Sequence, residues 1–240
     1  MIASIFNPEG TAPLLLICEH ASNHVPPAYA SLGLSAGDLA RHIAWDPGAL
    51  PVAQALARHL DAPLIFANVS RLVIDLNRLP GVSDSIPQIS ETTPIPGNLD
   101  LTPSAAKTRA EAFYHPFHQV LEDLAEARRP VALISIHSFT PVYKGIGRAW
   151  HAGVITDQKC LLGARILAAL KTDPAVVADL NVPYAPSDRV YHTLDRHARA
   201  HRAMTAMVEI RNDLICDASG QRDWALRLAE AVGSALQAGE

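Results

Sequence analysis

Short apolar runs alternate along the chain with longer amphipathic runs, and this alternation constrains the fold more than any other feature. The short runs suit strands, whereas the longer runs repeat their apolar residues with helical spacing. Strands are predicted at residues 14–18, 62–69, 71–76, 130–137 and 206–210, and helices at 48–60, 102–129, 158–170 and 221–238. Strands interleaved with helices indicate an α/β protein.

Two segments depart from this alternation. Residues 81–100 are rich in Pro, Ser and Thr and have no periodicity, and loops of that length are often functional lids. The helix predicted from Thr102 contains Pro116, which removes a backbone hydrogen bond and crowds the preceding turn. We therefore expect a long loop, for which the sequence leaves open whether it closes over a ligand, followed by a helix that is disturbed near Pro116.

The size and charge of the chain narrow the classes of partner. Its 240 residues are 49% hydrophobic, which is enough apolar material for one large core, so we expect a single domain over residues 1–240. The formal net charge of −4 gives no reason to expect nucleic acid or an acidic membrane surface as a partner. A small-molecule ligand is favoured.

The cysteines and the apolar stretches bear on location. Cys18, Cys160 and Cys216 are widely spaced and odd in number, unlike the cysteines of a disulfide framework or a zinc ribbon. The N-terminal residues lack the pattern of a signal peptide, and no stretch approaches the roughly 20 apolar residues that span a bilayer. These features predict a soluble, cytoplasmic protein.

Three of the predicted strands end in polar side chains. Glu19 and His20 follow the first strand, His137 ends the middle one, and Glu209 lies near the end of a late one. Ligands of α/β proteins bind at the carboxyl ends of strands. Two histidines and a carboxylate can hold a divalent metal beside a water molecule, while another carboxylate acts as base. The pattern predicts a metallohydrolase; the alternative is that each histidine only hydrogen-bonds at the sheet edge.

Four segments in the same order, CEHASNHVP, SRLVIDLNR, HSFTP and EIRNDL, resemble the N-formylglutamate amidohydrolase family. The similarity runs from about residue 14 to the final helix. The family is similar in turn to zinc carboxypeptidases and aspartoacylases. The resemblance therefore implies a three-layer α/β/α fold around a central mixed sheet, with one divalent metal ion, expected to be zinc, at the strand ends.

The resemblance also bears on the metal ligands. In the wider group the first strand ends in His-x-x-Glu and a later strand supplies a histidine, and all three residues bind zinc. His20 and His137 match this pattern, but Asn23 stands at the glutamate position, and a neutral amide is a poor zinc ligand. Asp46 is the first choice for the third ligand, although an Asp before Pro also suits a helix cap. The candidates that remain open are Asn23, His24 and Glu19.

The segment RLVIDLNR resembles the aspartoacylase segment that binds the substrate carboxylate. This implies that Asn77 and Arg78 hold the carboxylate, to which a planar guanidinium can make two hydrogen bonds, and that Arg71 polarises the scissile carbonyl. The alternative for Arg71, Asp75 and Arg78 is an exposed ion-pair network at a strand edge. The resemblance makes Glu209 the general base, with a structural pair to Arg211 as the alternative, and Arg211 is a candidate for a second substrate carboxylate.

Other chemistry-bearing residues are interpreted as structural. His115 and His118 lie three residues apart on the predicted helix, a spacing that alone does not make a metal site, so both are predicted to pack or lie at the surface. Cys18 is predicted to be an inert buried thiol. Asp75 is expected to orient an arginine.

The predicted activity is metal-dependent hydrolysis of an N-acyl amino acid, with N-formyl-L-glutamate, cleaved to formate and L-glutamate, as the expected substrate. Within enzymes, the alternatives are a related N-acyl amino acid deacylase and a small carboxypeptidase. Outside them, the alternative is a metal-free, non-catalytic binder of acidic amino acid ligands. The sequence leaves the metal, the acyl group and the oligomeric state open.

Overall fold

The computed structural model describes residues 1–157 and 161–237 of the chain. The strands are β1 (Ala3–Phe6), β2 (Leu14–Cys18), β3 (Leu64–Ala67), β4 (Ile89–Ser90), β5 (Thr93–Pro94), β6 (Ala132–Phe139), β7 (Val142–Tyr143), β8 (Ile146–Gly147), β9 (Ala152–Ile155), β10 (Ala178–Leu180) and β11 (Met204–Arg211). The α-helices are α1 (Ala36–Ala40), α2 (Ala49–Leu60), α3 (Pro103–Arg109), α4 (His115–Arg128), α5 (Leu161–Leu170), α6 (His192–His201) and α7 (Ala218–Gln237).

Seven of these strands form the main sheet, in the order β1-β3-β2-β6-β11-β9-β10. The central strands β3, β2, β6 and β11 run parallel, whereas β1 is antiparallel to β3, and β9 is antiparallel to β11. The predicted mixed sheet is therefore confirmed. Because β2, β6 and β11 are parallel, their carboxyl ends lie at the same edge, and this edge carries the candidate site.

Helices cover both faces of the sheet. One face packs against α2, α5 and α7 through an apolar cluster to which the sheet contributes Leu16 and Ile134. The other face packs against α4 and α6, and there the sheet contributes Leu15 and Leu133. Successive strand residues thus point to opposite faces, as side chains on a strand do. The predicted three-layer α/β/α architecture is confirmed.

Most of the predicted elements are present. The predicted strands at 14–18, 62–69, 130–137 and 206–210 correspond to β2, β3, β6 and β11, and the predicted helices at 48–60, 158–170 and 221–238 correspond to α2, α5 and α7. Residues 158–160, with Cys160, and the last residue of the predicted final helix lie outside the described residues. The disturbance expected near Pro116 is a π-helical turn at Ala110–Tyr114, which joins α3 to α4. Among the described residues, no helix combines the length and the hydropathy needed to cross a membrane.

The strand predicted at residues 71–76 is wrong, because these residues form a buried loop. Both edges of β3 are already paired, with β1 and β2, so the segment that follows cannot pair beside it. Side chains pair with three of its carbonyl groups instead. Asn98 donates to the carbonyl of Leu72, Arg109 donates to that of Val73, and a ring nitrogen of His118 lies 2.9 Å from the carbonyl oxygen of Leu76. The apolar composition therefore reflects burial rather than strand pairing.

Candidate active site and metal centre

A cavity of about 880 Å³ opens at the carboxyl ends of β2, β6 and β11. His20, which follows β2, His137 of β6 and Glu209 of β11 all line it. His137 and Glu209 are direct partners in the register of the two strands, and the ring centroids of His20 and His137 are 4.9 Å apart. The three polar strand ends thus meet at one site, as expected.

Asp46 joins the two histidines in a buried cluster. His20, Asp46 and His137 each offer one potential ligand atom for a metal ion, and these three atoms all lie within 4.8 Å of one another. Asp46 Oδ2 is 2.8 Å from His137 Nδ1 and 3.5 Å from His20 Nδ1. All three residues are at most 2% exposed. Two imidazole nitrogens and a carboxylate oxygen, shielded from bulk water, therefore converge on one point.

The second nitrogen of each ring faces another buried carboxylate. His20 Nε2 lies 2.7 Å from Asp75 Oδ1, and His137 Nε2 lies 3.2 Å from Glu19 Oε2. A carboxylate at Nε2 favours the proton on that nitrogen and leaves Nδ1 free to bind a cation. His20 Nδ1 is buried and has no hydrogen-bond partner among the described residues. The donor types and the uncommitted Nδ1 atom fit a divalent metal.

The electrostatics of the cluster are those of a cation site. Burial opposes ionisation of Asp46, but His20 and His137 hold the pKa of its carboxyl well below the ordinary range. Burial also opposes the charging of His137, yet Glu19 and Asp46 hold its pKa well above the usual value. The carboxylates thus stabilise positive charge at the point where the donors meet. A metal ion bound there must displace the proton, so metal affinity depends on pH.

The other candidates for the third ligand lie elsewhere. The Asn23 amide donates to the carbonyl of Leu39, and His24 is exposed. Glu19 faces Nε2 of His137, on the opposite side of the ring from Asp46. Of the four candidates for the third ligand, Asp46 is the one that clusters with both histidines among the described residues.

Asp46 is not a helix cap. Helix α2 begins at Ala49 after Gly48, and no side chain caps it. Gly48 has a φ of +81°, and a Cβ there would lie 2.4 Å from the carbonyl oxygen of Ile215, so this turn requires glycine. The turn directs the Asp46 carboxylate toward β6, where it also accepts the backbone N–H of Ser138 at 3.3 Å.

Glu209 has the environment of a proton acceptor. The residue is 5% exposed, and its Oε2 has no hydrogen-bond partner among the described residues. Burial raises the pKa of Glu209 to about 7, with Asp46 acting in the same direction. A carboxyl with a pKa near neutrality can both accept and return a proton.

Arg71 lines the cavity, and two carboxylates hold it in place. Its guanidinium donates to Asp75 at 2.8 Å and to Asp46 at 3.4 Å. Asp75 therefore orients both Arg71 and His20, a wider role than the arginine partner expected from the sequence. Because Asp75 is 3% exposed, these contacts are not an exposed ion-pair network.

Asn77 and Arg78 also line the cavity, but much of their hydrogen-bonding capacity is used within the protein. The Asn77 amide donates to the carbonyl of Val190 and accepts the backbone N–H of Thr193. Arg78 donates through Nε to Asp84 and through Nη1 to two carbonyls, whereas Nη2 has no acceptor among the described residues. Nη2 of Arg78 is therefore the group of this pair that remains for a ligand.

Arg211 is placed differently from the other predicted residues. Its guanidinium donates to Asp213 and to the carbonyls of residues 148–150, and it is not among the residues that line the cavity. Nothing in this placement supports the predicted contact with a second substrate carboxylate. Cys18 is buried, and burial raises the pKa of its thiol, as expected of an inert cysteine.

Sequence reasoning missed two cavity residues. His42 Nε2 lies 2.5 Å from the carbonyl oxygen of Ser138 and 3.5 Å from Asp46, and its spacing of four residues before Asp46 was an available signal. The Tyr184 hydroxyl accepts a hydrogen bond from Arg148 at 3.2 Å, and burial raises the pKa of this tyrosine. No motif in the sequence marks Tyr184, because it lies in a stretch to which no element was assigned.

Solved structures share this fold over almost the whole chain. A gene product of Agrobacterium tumefaciens is 39% identical, with 99% of this chain and 95% of that chain covered and a TM-score of 0.95. An N-formylglutamate amidohydrolase from Ralstonia eutropha is 18% identical, with 99% of each chain covered and a TM-score of 0.67. A tripeptide-bound cell-shape determinant protein from Helicobacter pylori is 13% identical, with 96% of this chain and 54% of that chain covered and a TM-score of 0.51.

None of the curated proteins matches the chain. The family profile described as N-formylglutamate amidohydrolase matches residues 12–216, a span that contains His20, Asp46, His137 and Glu209. Because this match covers most of the sequence, the protein belongs to the N-formylglutamate amidohydrolase family.

Proposed function

We propose that this protein is a metal-dependent amidohydrolase that cleaves an N-acyl amino acid, with N-formyl-L-glutamate, giving formate and L-glutamate, as the favoured substrate. The observation that carries the proposal is the convergence of His20, Asp46 and His137 beside Glu209 in one cavity. Membership of the family supports the substrate class. A small molecule is thus the proposed partner, and the cytoplasmic location inferred from the sequence stays a prediction.

Nδ1 of His20, Nδ1 of His137 and a carboxylate oxygen of Asp46 would hold the ion. Two imidazoles and one carboxylate are a donor set that zinc prefers, which makes zinc the favoured metal. A divalent ion at this point lowers the pKa of a water molecule and polarises a carbonyl oxygen. Asp75 and Glu19 would keep the two imidazoles in the orientation that binding requires.

Glu209 would act as the general base and then as the general acid. Its free Oε2 accepts a proton from the attacking water, and the pKa of about 7 lets the same carboxyl return that proton to the leaving nitrogen. Cleavage then releases the acyl group as a carboxylic acid and the amino acid as an amine. The pKa values of Asp46 and Asp75, the other buried carboxyls that line the cavity, are held well below the ordinary range instead.

Arg71 would stabilise the negative charge that develops on the carbonyl oxygen. Its contacts with Asp75 and Asp46 fix the guanidinium before the substrate arrives, so little reorganisation is needed during the reaction. The free Nη2 of Arg78 would bind the α-carboxylate of the substrate. Asn77 would hold the loop that carries Arg78 in place through its hydrogen bonds with Val190 and Thr193.

The decisive experiment is a hydrolysis assay of purified protein on N-formyl-L-glutamate, N-acetyl amino acids and dipeptides, with and without a chelator. We expect deformylation that disappears with chelation and returns with added zinc. Activity that survives complete removal of metal would contradict the metal mechanism. Preference for an N-acetyl substrate or a dipeptide would instead favour the related deacylase or the carboxypeptidase.

Elemental analysis separates the enzyme from a non-catalytic binder. We expect about one zinc per chain after purification without chelator, as for a site with three protein ligands. A protein that takes up no divalent metal, yet binds acidic amino acids, would be a binder. Arg78→Ala tests the carboxylate contact in either case, because it should weaken binding of the acidic ligand.

A further inference from the structure

Glu19 is a buried carboxylate that the proposed reaction does not use. The residue is 1% exposed and does not line the cavity, so neither substrate nor bulk water reaches it. Its Oε1 atom has no hydrogen-bond partner among the described residues. A buried carboxylate is costly unless it is paired, so its contacts indicate why it is tolerated.

Both contacts of Glu19 are made by Oε2 and involve strand β6. Oε2 lies 3.2 Å from His137 Nε2 and accepts a hydrogen bond of 2.6 Å from the hydroxyl of Ser135. Ser135 itself is fully buried. Its hydroxyl therefore fixes the carboxylate oxygen against the imidazole. This imidazole presents its other nitrogen, Nδ1, to Asp46 at 2.8 Å.

This contact bears on which nitrogen of His137 would carry the ring proton when a metal is bound. Carboxylates, which can only accept hydrogen bonds, face both nitrogens: Asp46 is hydrogen-bonded to Nδ1, and Glu19 lies at an ion-pair distance from Nε2 without hydrogen-bond geometry. A metal ion on Nδ1 would leave the proton on Nε2, next to Glu19. Asp75 makes the equivalent contact with His20, at 2.7 Å from Nε2. Each imidazole of the cluster is thus backed by its own carboxylate. Although Glu19 and His20 are consecutive in the chain, their roles differ. Glu19 is the backing group of His137, whereas His20 is a candidate donor that is backed by Asp75.

We propose that Glu19 is a positioning residue of the metal centre, which with Ser135 holds the imidazole of His137 in the orientation that presents Nδ1 to a metal ion. This inference rests on the proposed function, because it requires that His20, Asp46 and His137 bind a divalent metal. It assigns to Glu19 the role of a backing group rather than that of a ligand.

The test is the zinc affinity of Glu19→Gln, measured by competition with a chromophoric chelator. The glutamine keeps the volume of the side chain but removes its charge. Loss of such a backing group typically weakens metal binding by about 10- to 100-fold, and we expect a loss in that range. The matched control is Glu122→Gln, which also alters a carboxylate bonded to imidazoles, those of His197 and His201, but leaves the metal centre unchanged.

A spectroscopic readout separates positioning from a merely structural role. In protein loaded with cobalt in place of zinc, Glu19→Gln should shift the visible absorption bands, whereas Glu122→Gln should leave them unchanged. Zinc affinity within about twofold of wild type in folded Glu19→Gln, with unchanged bands, would overturn the inference but not the proposed function.

Two further outcomes are also decisive. If Glu19→Gln does not fold, Ser135→Ala replaces it, because this variant removes the hydrogen bond that fixes Oε2. We expect it to weaken zinc binding by about two- to tenfold, the worth of one hydrogen bond. Unchanged affinity in Ser135→Ala would then overturn the inference. Wild-type protein that binds no divalent metal would overturn the proposed function and this inference with it.

Discussion

Two clusters of buried or half-buried histidines and carboxylates can be compared among the described residues, and of these two only one has the geometry of a metal site. The candidate metal centre, called the metal centre below, consists of His20, Asp46 and His137. The helical cluster joins α4 to α6 and consists of His118, Glu122, His197 and His201. In the helical cluster each contact links one ring nitrogen to one partner. His118 Nδ1 lies 2.9 Å from His197 Nε2, and Glu122 accepts from His197 at 2.7 Å and from His201 at 2.8 Å.

The difference lies in where the nitrogen lone pairs point. In the helical cluster the ring nitrogens of His118 and His197 are used in a chain that ends at Glu122 on one side and at the carbonyl of Leu76 on the other. In the metal centre His20 Nδ1 is left without a hydrogen-bond partner and points, with His137 Nδ1, toward Asp46. Both clusters therefore contain histidines that are buried. The metal centre differs because its donor atoms converge on one point.

The largest expected effect comes from His137→Ala. Removal of one of three ligands should reduce the zinc content from about one per chain to near zero and the hydrolytic activity to the background rate. Elemental analysis and the deformylation assay measure both. His197→Ala is the control from the helical cluster and should keep its zinc and its activity at a temperature where it is folded. Stoichiometric zinc in His137→Ala would remove the distinction between the clusters.

Glu209→Gln should separate chemistry from metal binding. The variant cannot accept a proton, so we expect kcat to fall by about 10²- to 10⁴-fold while the zinc content stays at the wild-type level. The corresponding change in the helical cluster, Glu122→Gln, should leave kcat unchanged. A Glu209→Gln variant that retains zinc and full turnover would show that another group accepts the proton.

The third prediction concerns the helical cluster alone. His118→Ala removes the partner of the Leu76 carbonyl and of His197, and it leaves a cavity, so the free energy of unfolding should fall by about 2–4 kcal/mol. Urea denaturation measures this loss. His115→Ala, at an exposed position on the same helix, should stay within about 0.5 kcal/mol of wild type. Equal effects at the two positions would mean that the helical cluster does not stabilise the fold.

The sequence was sufficient to predict the edge of the sheet at which the site lies. Apolar strands that end in His20, His137 and Glu209 can meet only at the carboxyl edge of a parallel sheet, and this reasoning needs no distances. Asp46 was the first choice for the third ligand because the family resemblance places Asn23, a poor ligand, at the glutamate position. Its alternative interpretation as a cap could be rejected only from the coordinates, which show Gly48 at the start of α2.

The remaining features depend on contacts between distant segments. The buried loop at residues 71–76 has the apolar composition of a strand, because composition records burial but not the identity of the backbone partner. The pairing of Glu19 with His137 depends on the register of β2 beside β6. His118 was expected to pack or to lie at the surface, and it is in fact buried against the same loop. Each of these contacts joins residues that are far apart in the sequence, so no local sequence pattern predicts it.

The last prediction is a pH dependence of stability that distinguishes the helical cluster. Burial lowers the pKa of His118 from the ordinary value of 6.5 to about 3. Between these two pH values the unfolded chain binds more protons than the folded one, so the free energy of unfolding should fall as the pH falls from 6.5 toward 3. One histidine contributes a slope of at most about 1.4 kcal/mol per pH unit.

Urea denaturation of wild type, His118→Gln and His115→Gln at several pH values measures this contribution, and His115→Gln controls for the loss of an exposed histidine on the same helix. We expect a shallower slope for His118→Gln and a wild-type slope for His115→Gln. Equal slopes in all three would mean that the folded cluster already holds an additional proton. Three contacts connect the Leu76 carbonyl, His118, His197 and Glu122, but two neutral imidazoles supply only two N–H protons. With an additional proton, the two imidazoles would together carry a positive charge, which the Glu122 carboxylate would balance. The helical cluster would then hold a proton where the metal centre would hold a metal ion.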